Sequence, residues 1–209
     1  MLPVVVGVLS VNCYIYYCEE TKLCAIIDPG ANPERIMDLI KKNSLQPMYI
    51  LLTHGHFDHI GAVKELKELT GAQVAIHRED EGMLTDAVLN LSAHFGRETV
   101  QVPPDFVLED GDILQIGKTS LKVIHTPGHT RGGVSYLGDG ILFTGDTLFR
   151  GSIGRTDLPR ADFSELIQSV NEKLMVLDNS LPIYPGHGSP STLKLESITN
   201  PFLIGVESE

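Results

Sequence analysis

The chain has 209 residues, 42% of them hydrophobic and 21% charged, with a formal net charge of −11. Such a composition belongs to an ordinary globular protein long enough to bury a full core, and it excludes collagenous, disordered and repeat architectures. Only 16 Lys and Arg stand against 27 Asp and Glu, which argues against a general nucleic-acid or anionic-membrane partner, because a phosphate-binding surface needs a dense basic patch.

The first residues, MLPVVVGVLSVNCYIYY, carry no basic leader, and Gly7, Ser10 and Asn12 interrupt the apolar run, so neither a signal peptide nor a membrane span is expected. Strands are expected near 4–8, 12–17 and 23–27, the last ending in the turn Asp28-Pro29-Gly30. A helix over 33–43 follows, with Pro33 suited to its first turn, and then a strand near 48–53. The next segment, LLTHGHFDHIG, places four side chains able to hold a metal within six positions. His54 and His56 are two apart, which in a helix would point them to nearly opposite sides and in an extended segment puts them on one side. They converge only if this segment is not helical. IGAVKELKELTG, just after it, has helical periodicity through Val63, Leu66 and Leu69 and stops at Gly71. The cluster therefore sits on a strand-to-helix loop, where an open α/β sheet displays its chemistry. Asp58 and His59 fall in the first turn of that helix or just ahead of it.

A strand at 73–76, a helical stretch from about 79 to 94 and a loop, GRETVQVPPDF, come next. Strands are expected at 112–116, 120–125, 133–137 and 141–144. DFSELIQSVNEKLMVL has a helical pattern, with Asp162 as N-cap and Glu165 completing a capping box. The strand LPIYP and a short helix near 191–199 close the chain. No linker or low-complexity segment divides this order, so one domain over 1–209 is expected. The strands outnumber those of a simple doubly wound sheet, which suggests two sheets with helices outside. Cys13, Cys18 and Cys24 form no metal-ligand spacing and suit a reducing cytoplasm, with Cys24 a buried strand residue.

Three further groups complete the cluster: His129 in HTPGHTRGG, Asp146 in LFTGDTLF and His187 in YPGHGS. Each follows a strand or lies in a Gly-rich turn after one, so all three can reach one rim. Neutral imidazole and carboxylate suit zinc, manganese and iron, and the absence of cysteine disfavours a closed structural zinc site. Singly these residues carry little weight, since a lone histidine is usually a surface or satisfied core group and Asp before Thr is more often a turn former. HxHxDH is far more specific. Of the remaining histidines, His77 is expected at the surface, His94 lies in a weakly patterned stretch, and His125 sits where strand alternation can put it behind the metal ligands.

The series DPG, THGHFDH, TPGHT, GDTLF and PGH resembles the metallo-β-lactamase superfamily, whose four-layer αββα sandwich holds metals between the edges of two sheets. HTPGHTRGGVSY and LFTGDTLFRGSIGRTDLP resemble more narrowly the glyoxalase II (hydroxyacylglutathione hydrolase) group and its short YcbL-type bacterial relatives. The resemblance covers most of residues 10–203. It implies that His54, His56 and His129 hold one divalent metal and Asp58, His59 and His187 a second. Asp146 would bridge both, and Asp28 would stand behind the ligands. Zinc is the first choice, with iron or manganese as alternatives. A metal-bridging hydroxide, oriented by Asp58, would attack a thioester such as S-lactoylglutathione or a related hydroxyacyl thiol, since a thiolate leaves without a separate general acid.

Arg155 matches the position where glyoxalase II enzymes place a basic residue that binds glutathione, and its alternative role is an ion pair with Asp157. Two departures loosen the substrate: the helical domain that follows in glyoxalase II proper is not found before Glu209, and Ser189 and Asp157 stand where that group has tyrosines. The nearest rival is a mononuclear iron persulfide dioxygenase using His54, His129 and Asp146, and a lactonase would use the same dinuclear site. A β-lactamase is disfavoured because the common form has Cys where Asp146 stands, and a regulatory module because no ligand is lost.

Overall fold

The computed structural model describes residues 1–95 and 101–204, and alternation along its strands sorts their side chains into layers. The first six-stranded sheet runs in chain order through β1 (Leu2–Val6), β2 (Val11–Tyr17), β3 (Leu23–Ile27), β4 (Gln46–Leu51), β5 (Gln73–His77) and β6 (Phe106–Leu108). Its first three strands are antiparallel and the remainder parallel. The helices α1 (Pro33–Lys42), α2 (Phe57–Ile60) and α3 (Val63–Thr70) lie within its connections. The second sheet contains β7 (Ile113–Ile116), β8 (Thr119–His125), β9 (Val134–Gly138) and β10 (Ile141–Gly145). After a small hairpin of β11 (Leu148–Phe149) and β12 (Ser152–Ile153) and the helix α4 (Phe163–Ser169), β13 (Pro182–Pro185) and β14 (Ser191–Thr192) complete that sheet before α5 (Leu193–Thr199).

Tyr14, Ile27 and Leu51 face Val123, Tyr136 and Phe143 of the opposite sheet, while their chain neighbours Ile15, Ile26 and Ile50 pack on Ile36, Ile60 and Leu66 of the helices. On the far side Leu142 and Ile183 pack on Leu166, Val170 and Leu193. Period-two alternation on strands buried from both faces thus produces a four-layer αββα sandwich. Tyr136 pins the two sheets together by donating its buried hydroxyl to the Leu52 carbonyl at 2.7 Å.

The strand directions gather the chemistry at one edge. β3 and β4 are parallel, as are β10 and β13, and β8 runs with β10 because both pair antiparallel to β9. Asp28, His54, His129, Asp146 and His187 each follow the carboxyl end of one of these strands. Backbone bonds stitch the sheets there: Val134 N–H donates to Thr53 O at 2.8 Å and Asn12 N–H to Gly186 O at 2.7 Å.

Several expectations are corrected. The helical stretch of 79–94 is instead two 3-10 turns, Arg78–Leu84 and Ser92–Phe95, because Asp80 turns inward to serve other loops. The expected loop 96–106 ends in β6, a strand obscured by Pro103 and Pro104, while residues 96–100 lie outside the described ones. The long helix after Asp162 gives way at Val170 to a π-helical turn, Val170–Leu174. Asp162 caps α4 by accepting from Glu165 N at 2.9 Å, yet its own N–H goes to Gly128 O at 2.7 Å, so the reciprocal half of the capping box is not made. His77 is buried, covered by the ring of His125.

Candidate metal centre

The histidine orientations follow from what their outward nitrogens touch. Thr53 Oγ1 donates to Asp28 Oδ2 at 2.6 Å, so the same oxygen accepts from His54 Nδ1 at 3.1 Å. Asp28 Oδ2 also accepts from His59 Nδ1 at 3.0 Å. His129 Nδ1 donates to the Arg155 carbonyl at 2.8 Å and His187 Nδ1 to the Leu9 carbonyl at 3.1 Å. Each of these four imidazoles therefore carries its proton on Nδ1 and turns the lone pair of Nε2 inward, a pattern typical of metal-binding histidines. His56 instead presents Nδ1, 3.0 Å from His129 Nε2.

The inward atoms form overlapping triads, each within 4.8 Å: His54, His56 and His129; Asp58, His59 and His187; and, spanning the two, His54, His59 and Asp146. Asp146 Oδ1 lies 3.4 Å from His59 Nε2, and its Oδ2 lies 3.7 Å from His129 Nε2 and 3.6 Å from His187 Nε2. Asp58 Oδ2 is 3.3 Å from His187 Nε2. Among the described residues, the buried side-chain polar atoms without a hydrogen-bond partner are His54 Nε2 and Asp146 Oδ1. A buried acceptor left unmatched costs about 1–3 kcal/mol, and both of these point into the triads. Nitrogen–nitrogen separations of 3.0 and 3.3 Å between inward imidazoles also suit ligands about 2.0–2.1 Å from a shared ion. The donor set fits a dinuclear metal site.

Electrostatics divides the cluster. Burial first, and then neighbouring imidazoles, holds His54 and His56 well below their ordinary pKa, so both are neutral. Burial opposes a charge on His59 too, but Asp146, Asp58 and Asp28 lift its pKa to about 10. His187 is raised by Asp58 and Asp146 against the same opposition. Burial would push the Asp58 carboxyl up, and the adjoining His59 and His187 hold it below the usual range. The carboxylate end thus attracts positive charge, which a divalent ion supplies more fully than a shared proton.

Close packing fixes the loops. A Cβ at Gly186 would stand 2.3 Å from Asp146 Oδ1, and one at Gly30 would stand 1.7 Å from the Asp58 carbonyl. Asp28 itself adopts φ 50, left-handed backbone that Asp tolerates better than most residues, and accepts Thr53 N–H on Oδ1 at 2.7 Å. Three supporting residues escaped sequence reasoning. Asp80, fully buried, accepts from Thr130 Oγ1 at 2.6 Å, Gly132 N at 2.9 Å and Gly55 N at 3.4 Å, tying the His54 loop to the His129 loop. Thr53 relays Asp28 to His54, and Asn12 Nδ2 donates to Pro185 O and Gly188 O on either side of His187. In the sequence Asp80 looks like part of a solvated REDE run.

The triads open into a cleft of about 330 Å³ lined by Leu9, Phe57, Phe149 and Leu158 as well as by residues of the triads. Arg155 reaches its rim with its side chain exposed and makes a two-pronged ion pair with Asp157 at 2.9 and 2.8 Å. His125 lies away from the triads, stacked on His77 with its Nε2 donating to Arg131 O at 2.8 Å. His94 is exposed. Cys13, Cys18 and Cys24 are free thiols and buried. No helix among the described residues is long and apolar enough to cross a membrane.

An αββα sandwich with such a His/Asp centre at the strand ends is a metallo-hydrolase architecture. The model of the Metallo-beta-lactamase superfamily matches residues 6–187, and the chain belongs to that superfamily. It is 37% identical to hydroxyacylglutathione hydrolase GloC of Haemophilus influenzae over 92% of each chain. Among solved structures it resembles BLEG-1 B3 metallo-beta-lactamase, with TM-score 0.93, 38% identity and coverage of 98% of this chain and 99% of that one. It also resembles TTHA1623 in a di-iron-bound form, with TM-score 0.87, 39% identity and coverage of 97% and 100%.

Proposed function

We propose that the protein is a thioester hydrolase acting on S-lactoylglutathione or a related hydroxyacyl thiol. The observation that carries this reading is the convergence of seven donor residues, two of which, His54 and Asp146, leave a buried atom orphaned, His54 Nε2 and Asp146 Oδ1, and the likeness to a hydroxyacylglutathione hydrolase supports the substrate class. His54, His56 and His129 would hold one ion and Asp58, His59 and His187 the other, with Asp146 within reach of both triads. Divalent ions bound there would supply a more acidic water and charge stabilisation for an oxyanion at a carbonyl. Zinc suits the donors, and the di-iron relative keeps iron in view.

Asp58 orients the attacking water, and Asp28 keeps His59 directly, and His54 through Thr53, in the ligating tautomer. Water oxygen bonds to the acyl carbon, the carbon–sulfur bond breaks, and the sulfur leaves with the electron pair as thiolate. Of the two protons of water, one ends on the departing thiolate and the other is released to solvent, giving one carboxylate, one thiol and one proton per water. Arg155 meets a carboxylate of the thiol carrier by exchanging its exposed partner Asp157, an exchange that costs little because exposed ion pairs are weak.

The test is a side-by-side assay of metal-loaded protein on S-lactoylglutathione, a lactone and glutathione persulfide. Thioester cleavage as the fastest reaction supports the reading. Oxygen consumption with the persulfide, or faster lactone opening, refutes it. Likeness to a B3 β-lactamase favours β-lactam hydrolysis as a second reading, which a chromogenic cephalosporin in the same assay would reveal.

A further inference from the structure

The cleft is not uniform around the metal centre, and its two ends differ in chemistry. Beside His129, whose ring is held by the Arg155 carbonyl, the rim carries the Arg155 guanidinium. Beside the Asp58 and His187 end the walls are apolar: the Phe149 ring meets His187 edge-on at 6.2 Å, Leu9 holds His187 through its carbonyl, and Phe57 adjoins Asp58. Phe57 in turn packs on Phe95 with ring centroids 5.0 Å apart. Leu9 is 47% and Phe95 61% exposed, apolar surface left open at the mouth of a cleft. Leu9, Phe57 and Asp58 also line a second cavity of about 300 Å³, together with Val8 and Ala31 among others. Among the described residues, Arg155 is the one Lys or Arg lining either cavity.

Resting on the thioester reading, we infer that this polarity sets the direction and preference of the substrate: the thiol carrier lies at the Arg155 end, and the acyl group lies at the Leu9–Phe57–Phe149 end. The favoured acyl groups are 2-hydroxyacyl units bearing a larger alkyl or aryl substituent than the methyl of lactate. A methyl leaves the apolar walls wet, whereas a butyl or phenyl group removes both surfaces from water.

The experiment compares glutathione thioesters of lactate, 2-hydroxyhexanoate and mandelate on the metal-loaded protein, alongside calorimetric binding of the uncleavable S-methyl- and S-hexylglutathione. From lactoyl to 2-hydroxyhexanoyl, kcat/KM is expected to rise by up to about fourfold per added methylene, the equivalent of about 0.8 kcal/mol for complete burial. S-hexylglutathione should bind more tightly than S-methylglutathione, with a more negative heat-capacity change. Leu9→Ala and Phe149→Ala should each cut the 2-hydroxyhexanoyl rate more than the lactoyl rate, while Arg155→Ala should raise KM for all three thioesters by a similar factor. A flat or falling series, with S-hexylglutathione binding no better than the methyl compound, would overturn the inference and leave thioester hydrolysis standing. Failure to cleave any thioester would overturn both.

Discussion

Two groups of histidines packed within the fold behave differently, and the contrast identifies the chemistry better than either group alone. His77 and His125 stack with ring centroids 4.0 Å apart and planes 11° from parallel. His77 Nδ1 accepts from Glu79 N at 3.3 Å and His125 Nε2 bonds the Arg131 carbonyl, so backbone serves the pair without an ion. In the five-histidine cluster four outward nitrogens are likewise tied, but the inward ones meet only one another and the carboxylates of Asp58 and Asp146. Burial of a histidine is therefore a poor sign of metal binding. The informative feature is which of its nitrogens is left over after the protein has satisfied what it can.

The sharpest way to break this contrast is Asp146→Ala, which removes the carboxylate standing between both triads. Activity should fall further than in any other single variant, measured as kcat/KM on a thioester with circular dichroism confirming an intact fold. Asp58→Ala, which touches one triad, should cost less. Near wild-type turnover in folded Asp146→Ala would remove it from the shared position. Asp28→Ala should weaken metal affinity by roughly 10–100-fold, because His54 and His59 lose the group that sets their tautomers, and competition with a chelator reads this directly. Asp80→Ala leaves buried donors unpaired, at about 1–3 kcal/mol each, and should appear in denaturant unfolding as a lower midpoint. Arg155→Ala should raise KM severalfold with kcat nearly unchanged, since it loses binding common to ground and transition states. His125→Ala should have the smallest effect, changing neither metal content nor turnover, because its pair closes on itself.

Much of this was legible from residues alone. Ligand types crowded into THGHFDH announce themselves because a two-residue spacing can converge only on an extended loop, and the strand count pointed to paired sheets. What stayed hidden depends on tertiary contact. Asp80 sits among Glu79 and Glu81 and looks like an exposed acidic turn until Thr130 and Gly132, some 50 positions on, are brought to it. Leu9 serves His187 through a backbone carbonyl across a separation of 178 residues, and a carbonyl carries no mark in the sequence. His77 looked exposed because the covering ring, His125, belongs to the other sheet. The strand Phe106–Leu108 follows two prolines that read as loop, although Pro103 and Pro104 precede the paired residues and remove no bond from the ladder.

The most direct test of the central claim is metal content after purification without chelator and after reconstitution with zinc, iron or manganese, measured per chain by elemental analysis. The wild-type protein is expected to reach two ions per chain, and the His77→Ala, His125→Ala double variant to reach the same value. A ceiling of one ion per chain in the reconstituted wild type would contradict a dinuclear centre and the placing of Asp146 between two metals.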